Sequence, residues 1–371
     1  MRNGLPRIFL IMKKICIAAL ALLVSLSSFA QKNAKEILRT TDEAFFKTKE
    51  AARIGDELLL WQRNTGGWPK NYDMTVELSP EQKTSILSDK SRTDDSTIDN
   101  DATTIQLSFL ARLYAQSGGQ RYRDSFRKGI AYLLEAQYDN GGWPQFYPKG
   151  KAGYSTHITY NDEAMENVLD LFRDIVERKS PYDNAALVDE EMRARVKASF
   201  EKGIECILAT QIVQNGELTV WCQQHDENTL LPAKARAYEL PSFCSLESAY
   251  LVKLLMELDN PDDRVKRAVH SAMKWFDEHK ISGYDFRKVD GKMSLVPDAE
   301  AKPIWARFYD LENGEPFVCD RDGVPRKSLD EIGLERRNGY GWYNDKPASL
   351  YKKYRKWASK WDPDGALDLT L

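Results

Sequence analysis

The chain has 371 residues, of which 42% are hydrophobic and 29% charged, and its formal net charge is -3. These values permit a large buried core and exclude a disordered or fibrous chain. They also argue against nucleic acid as a partner, because affinity for the phosphate backbone leans on many Lys and Arg contacts; a local basic patch for an acidic polymer stays open.

At the N-terminus, "KKICIAALALLVSLSSFAQ" after Met12 combines a basic start, an apolar run and small residues at Ser28 and Ala30. This predicts a signal peptide over residues 1–30, cleaved after Ala30, with Met12 serving equally well as the start. The apolar run is shorter than the ~20 residues that span a bilayer, so no stable membrane span is expected. The mature chain, 31–371, is expected to be exported, periplasmic or secreted, as a monomeric single catalytic domain. Cys16 sits early in the apolar run, which disfavours a lipoprotein. The cysteines at 206, 222, 244 and 319 are too few for a disulfide scaffold, although one or two bridges are open, and they lack the spacing of a structural zinc site.

Apolar residues at three- and four-residue spacing predict helices over 42–63, 102–115, 120–137, 163–176, 189–211, 243–258 and 262–278. No comparable series of alternating strands appears. Between the helices "LLLWQRNTGGWPKNY" is echoed by "YLLEAQYDNGGWPQFY" and, blurred, by "CILATQIVQNGELTVWCQQ", which places Trp68, Trp143 and Trp221 at intervals of 75 and 78 residues. Each copy is a helix end, a Gly or Asn-Gly turn and an aromatic extended piece. Two helices per repeat means helical hairpins that bury their apolar faces against neighbours, and about three of them closing on themselves give an all-α toroid. Equivalent loops then share one end, where the three tryptophans are candidate sugar-stacking platforms or simply plugs of the mouth. From 281 onward the pattern fades into a long region rich in Gly, Pro, Asp and aromatics, whose Trp and Tyr residues argue for order.

Rossmann, P-loop, HExxH and GxSxG signatures are absent. What remains is carboxylates and arginines. Asp94, Asp95, Asp99, Asn100 and Asp101 cluster before one predicted helix, and Asn161, Asp162 and Glu163 before another. Hard oxygens of this kind suit Ca2+ if the fold brings both segments together. Thr159 to Asp162 also fits a capping box, and Ser96 to Asp99 has the same spacing, so a purely structural role is the competing reading. Arg236 in "KARAYELPS", Arg307 in "IWARFYD" and Arg321 in "VCDRDG" are surface residues, salt-bridge partners or, if they face one cleft, carboxylate clamps.

The segments "NTGGWPKN", "TIDNDATTIQLSFLA", "NGGWPQFYP", "ITYNDEAMENVLDLF", "LPAKARAYELPSFCSLES" and "WARFYDLENGEPFVCDRDG" together resemble family 10 of the polysaccharide lyases, pectate lyases with an (α/α)3 toroid. The resemblance runs from about residue 35 to the C-terminus. It implies Ca2+-dependent β-elimination of α-1,4-polygalacturonate to 4,5-unsaturated products. It implies that Asp99, Asn100 and Asp162 lie at the metal and substrate end of the cleft, that Arg236 is the base, with Asp99 orienting it, and that Arg307 and Arg321 hold uronate carboxylates. Trp143 and Tyr160 are the aromatic candidates for substrate contact. Asp101 departs from the pattern, which has a small or uncharged residue there. An arginine base needs a packed, cation-rich setting to populate its neutral form, a setting expected from Ca2+ and neighbouring arginines. The rival readings are a toroid glycoside hydrolase that uses Asp99 and Asp162 on an acidic polysaccharide, or a non-catalytic polysaccharide-binding protein.

Overall fold

The computed structural model describes residues 33–148, 150 and 153–371; the expected signal peptide lies outside them. The α-helices used below are α1 (Lys49–Trp61), α2 (Pro80–Ser88), α3 (Thr104–Ser117), α4 (Gln120–Ala136), α5 (Ala164–Val176), α6 (Glu190–Thr210), α7 (Ser245–Met256), α8 (Asp263–Glu278), α9 (Leu334–Asn338) and α10 (Ala348–Trp361). Expected and observed helix ends agree within two residues except at α1. There Phe45–Lys47 forms a separate 3-10 turn, and Thr48 caps the helix by accepting from Ala51 N. Asp189 and Asp262 cap α6 and α8 in the same way.

Helices α3/α4, α5/α6 and α7/α8 pack as hairpins, and the hairpins stack side by side. The order α1, α3, α5, α7, α10 follows one layer of neighbours, and α4, α6, α8 follow the other. Sequence decides which layer is which. In α3 the residues Leu107, Phe109, Leu110, Ala111 and Leu113 are buried on every side of the helix, whereas α8 buries only the stripe Val265, Ala268, Val269, Ala272, Met273, Trp275 and Phe276 and wets the rest. One contiguous apolar core extends from Leu38 to Leu369. The fold is the expected α/α toroid, predominantly helical, with short strands only in the connections. Among the described residues no helix is long and apolar enough to cross a membrane.

The tryptophan repeat is a structural device, and it has a fourth copy at Trp305 that the fading pattern hid. All four indoles are fully buried. Each indole N–H donates to a carbonyl in the last turn of the preceding helix: Trp68 to Leu58 (2.8 Å), Trp143 to Leu133 (2.8 Å), Trp221 to Ile207 (2.7 Å) and Trp305 to Phe276 (2.8 Å). Carbonyls near a helix end are short of backbone partners, so the ring fills core volume and brings a donor there at once; at Leu58 the indole shares the oxygen with Gln62 N, which donates at 3.1 Å. The expectation that Trp68, Trp143 and Trp221 offer sugar platforms is therefore corrected: the rings point into the core.

A glutamine immediately after each of α1, α4 and α6 completes the clamp. Gln62 Nε2 donates to Gly66 O and Ser125 O, Gln137 Nε2 to Gly141 O and Ser199 O, and Gln211 Nε2 to Thr219 O and Ala268 O. Each amide thus ties its own turn to the next hairpin. Gly66 and Gly141 have φ of +105° and +91°, and a Cβ would lie 2.5 Å from Lys128 O and 2.0 Å from Lys202 O, so only glycine fits.

The region after 281 is ordered by β pairing. Tyr284–Val289 and Lys292–Pro297 form a hairpin, Trp305–Ala306 pairs with Tyr343–Asn344, and Phe308–Tyr309 runs between Phe243–Cys244 and Pro316–Cys319. The cysteines at 206, 222, 244 and 319 are free and buried, so the possible bridges do not form. Helices α2, α9 and α10 lie outside the expected helices: α2 falls between the Trp68 loop and α3, and α9 and α10 follow the aromatic-rich region after 281.

Gly203 on α6 tests the clamp. A Cβ there would meet Leu169 Cδ2 at 2.5 Å and Trp143 Cζ3 at 3.1 Å. Alanine gains about 1 kcal/mol in helix propensity over glycine, yet Gly203→Ala is expected to lower stability by about 1–3 kcal/mol because the core is overpacked. Chemical denaturation reads the sign directly, and a stabilised variant would mean that the ring has room to move.

Candidate active site

Two short turns precede α3 and α5: Asp99–Asp101 and Asn161–Glu163, both 3-10 in character. Their middle residues sit in the left-handed region, Asn100 at φ 55°, ψ 40° and Asp162 at φ 54°, ψ 35°. Asn and Asp tolerate that region better than other residues with a Cβ. The capping-box expectation is corrected here. Asp162 is not a cap; Glu163 occupies the cap position of α5 without a side-chain bond, Thr159 Oγ1 donates to His157 O, and Ser96 Oγ is bonded to Thr65 Oγ1. The second turn is instead held by backbone, since Tyr160 N and Asn161 N both donate to Gln223 O (3.0 and 3.1 Å).

Both turns open into one cleft of about 490 Å³, whose wall includes Asp99, Asn100, Asp162 and Arg236 together with Lys70, Gln145, Gln223 and Glu239. Four of the expected site residues are thereby brought together from three separate segments. Asp99 is buried. Its Oδ2 accepts from Lys70 Nζ and from Gln145 Nε2 (2.8 Å), while Oδ1 is buried without a partner. Among the described residues, Asp162 Oδ2 accepts from the Asn161 side-chain amide at 3.0 Å. It opens to the cleft, yet surrounding protein still disfavours its charge: burial first, then the Asp99 carboxylate, push its pKa up to about 6 against the opposing pull of Arg307 and Arg236.

An orphaned carboxylate oxygen, a second carboxylate short of positive partners and the Asn100 amide are hard oxygen donors facing one space. That donor chemistry fits Ca2+. A different group, His157, Asp226 and Glu227, also has ligand atoms within 4.8 Å of one another and could hold a metal ion. There His157 Nδ1 is bonded to Glu227 Oε2 at 3.0 Å, and Asp226 Oδ1 is engaged by Asn228 N, Thr229 N and Thr229 Oγ1.

Arg236 lies on the cleft wall, bound through Nε and Nη2 to the buried Glu239 carboxylate, which also accepts from Tyr340 Oη at 2.8 Å. Burial acts to lower the Arg236 pKa, but the Glu239 hydrogen bond and charge outweigh it and leave the pKa raised. Its immediate partners are an anion and the rings of Tyr238 and Tyr340, 5.1 and 5.8 Å from the guanidinium carbon, while neighbouring cations of the expected kind, Arg321 and Arg336, lie over the same Tyr238 ring at 5.8 and 4.4 Å.

The other arginines divide. Arg307 is buried behind the cleft wall, donating through Nη2 to Asn161 Oδ1 (3.0 Å) and Glu247 Oε1 and lying 4.7 Å over the Tyr340 ring. It braces the Asn161–Asp162 turn from behind, and its positive charge also acts on the Asp162 carboxylate. Arg321 is exposed, bonded to Glu335, and lies 5.8 Å over Tyr238, away from the carboxylates of the cleft floor. Trp143 and Tyr160, expected at the substrate, are both fully buried. Tyr160 Oη is bonded to Thr210 Oγ1 at 2.7 Å, and its ring meets His225 edge-on, so neither aromatic reaches a ligand.

Lys70, Gln145 and Gln223 were missed, although a signal for them exists. Each stands two residues after a repeat tryptophan, the position that Arg307 occupies after Trp305. Once the indole is buried, the chain turns so that this residue faces the mouth. Glu239 carries no comparable signal beyond its place three residues after Arg236.

Residues 62–351 match the family model of the pectic acid lyases. No curated protein matches the sequence. Two solved structures of the family 10 polysaccharide lyase from Cellvibrio cellulosa are similar. One is a point mutant in complex with trigalacturonic acid, 34% identical, with a TM-score of 0.76 over 87% of this chain and 96% of that one. The other is 35% identical, with a TM-score of 0.75 over 85% and 94%. Family model, sequence identity and shared toroid agree: the chain belongs to the pectic acid lyases, family 10 of the polysaccharide lyases, and is an enzyme of that lyase type.

Proposed function

We infer that the protein is a pectate lyase that cleaves α-1,4-polygalacturonate by Ca2+-dependent β-elimination, with Arg236 as the base. The observation that carries this reading is the convergence of Asp99, Asn100, Asp162 and Arg236 on one cleft. The trigalacturonic acid bound to a similar enzyme supports an acidic polysaccharide as substrate. The apolar N-terminal run supports export to the periplasm or beyond, and 31–371 is the catalytic unit.

Asp99, Asn100 and Asp162 are the residues that would hold the ion. When bound, Ca2+ would withdraw charge from the uronate carboxylate and so acidify the C5 hydrogen beside it. Arg236 in its neutral guanidine form takes the C5 proton and becomes the guanidinium cation. The C5–H electron pair becomes the C4=C5 double bond, the C4–O bond breaks, and the leaving oxygen is protonated from solvent. Glu239 holds the Nε and Nη2 edge of Arg236, so the guanidinium plane is fixed before substrate arrives. Because the same ion pair raises the Arg236 pKa, the neutral form is scarce in the free enzyme and grows with pH. Arg307 keeps the Asp162 turn in place, and Arg321 stands at the rim to meet a more distant uronate.

Digestion of polygalacturonate should therefore generate the ultraviolet absorbance of a conjugated uronate, abolished by chelator and restored by Ca2+. Reducing ends without that chromophore would move the protein to the hydrolases.

Arg236→Lys keeps a cation but loses the planar fork, and kcat should fall by about 100-fold or more, the range of positioned proton transfer, with a smaller change in KM. In the wild type kcat/KM should keep rising through the alkaline range. A near-wild-type kcat for the variant removes Arg236 as base.

Asp162→Asn separates metal binding from folding, and asparagine already occupies the equivalent left-handed position at 100. With a folded pKa of about 6 against 3.8 unfolded, the charged Asp162 costs stability above about pH 6 and nothing below about pH 4. In chelator the variant should be more stable at pH 7–8 by about 1 kcal/mol, after allowance for solvent screening in the open cleft, and the gain should vanish toward pH 4. Saturating Ca2+ should stabilise the wild type and not the variant. Thermal unfolding across pH, with and without Ca2+, checks both halves.

A further inference from the structure

Lys70 enters the cleft from the loop after Trp68, at the position held by Gln145, Gln223 and Arg307 in the other copies. Its ammonium pairs with Asp99 Oδ2 and lies 5.3 Å from the centre of the Phe146 ring. The Lys70 side chain is 25% exposed and that of Asp99 only 1%, so the cation closes the cleft side of a buried carboxylate. Gln145 Nε2 takes the same oxygen at 2.8 Å, and Oδ1 is left without a donor.

The neighbouring carboxylates are also matched to cations: Asp95 to Arg63 and Arg92, and Glu239 to Arg236. The pairing at Asp99 differs from these in one respect. It lies on a carboxylate that also faces the space shared with Asp162 and Asn100, so an arriving cation meets an ammonium already in place.

We propose that Lys70 is the resident counter-ion of Asp99 and sets the calcium affinity of the cleft. A divalent ion that uses Asp99 must share the carboxylate with the ammonium or displace it, and the repulsion between the two cations acts over a few ångströms in a site partly shielded from water. This goes beyond the lyase reading but rests on its placing of Ca2+ at Asp99 and Asp162. A lysine that merely neutralises Asp99 for folding gives the opposite sign: without it the turn loosens and Ca2+ binds more weakly.

The test is calorimetric titration of Ca2+ into metal-free mature protein without substrate, for wild type, Lys70→Met and Lys70→Arg, with thermal unfolding in parallel. Lys70→Met should bind Ca2+ about tenfold tighter or more, while Lys70→Arg, which keeps the charge, should stay within about threefold of wild type. If Lys70→Met does not fold, Lys70→Gln, which keeps a hydrogen-bond donor for Oδ2, carries the same comparison. Equal or weaker binding in the folded uncharged variant, with wild type binding normally, overturns this proposal alone. Absence of Ca2+ binding in wild type and every variant overturns the calcium reading and this proposal with it.

Discussion

The buried indole hydrogen bond at each helix end is the constraint on which the rest of the molecule depends. Four times the chain leaves a helix, turns, and returns a tryptophan beneath its last turn to donate to one of the carbonyls at the helix end. Because the ring must go inward, the residues that follow it are held at the mouth of the toroid. Lys70, Gln145 and Gln223 owe their place on the cleft wall to this anchoring, and Arg307 owes it its place just behind. The glutamine clamps extend the same constraint sideways, since one amide bonds both its own turn and the next hairpin. A loop fixed from two directions can carry chemistry with little loss of conformational freedom when substrate binds.

Electrostatics at the mouth follows from that geometry. Anions and cations converge there from many segments, and most find each other: Arg63 with Asp95, Lys70 with Asp99, Arg236 with Glu239, Arg307 with Glu247. The matched pairs fix side-chain orientation. The mismatch at Asp162 leaves a carboxylate whose charge its surroundings disfavour, which is the condition under which an external cation gains most by binding. Arg236 shows the contrary case. Its strong pairing gives orientation at the expense of the neutral form, and the proposed chemistry has to work within that conflict.

Much of this was legible in the sequence, and the gaps have physical causes. Periodicity located the hairpins because buried faces impose it, and the Asp and Asn clusters stood out because short polar residues mark strained turns. Direction was not legible. A tryptophan beside a Gly-Gly turn reads equally as platform or plug, and only the position of the Leu58 and Leu133 carbonyls decides between them. The same holds for Arg307, whose buried partner Glu247 is 60 residues away. Glu239 was invisible because an i,i+3 ion pair is ordinary until one partner faces a cleft. The fourth repeat was hidden because its tryptophan follows a long β-paired insertion rather than a short turn.

The two turns that open into the cleft show how backbone and chemistry restrict each other. They are copies of one element in which acid and amide have exchanged places: Asp99 and Asn100 in the first, Asn161 and Asp162 in the second. The first position of each faces donors of the protein itself, Lys70 and Gln145 for Asp99 and Arg307 for Asn161. The second position has positive φ and faces the cleft, where a short side chain that tolerates the left-handed region is required. Asn and Asp satisfy that backbone and are also hard oxygen donors, so the conformation that builds the turn already selects residues able to bind a cation. Exchanging them between copies leaves a single carboxylate at the strained, open position. A carboxylate at both would add a second negative charge to a site that already raises the pKa of Asp162, and an amide at both would leave a cation only the carboxylate that Lys70 already neutralises. One acid and one amide at the paired left-handed positions is the arrangement that keeps the empty turn stable enough to fold and charged enough for the proposed metal.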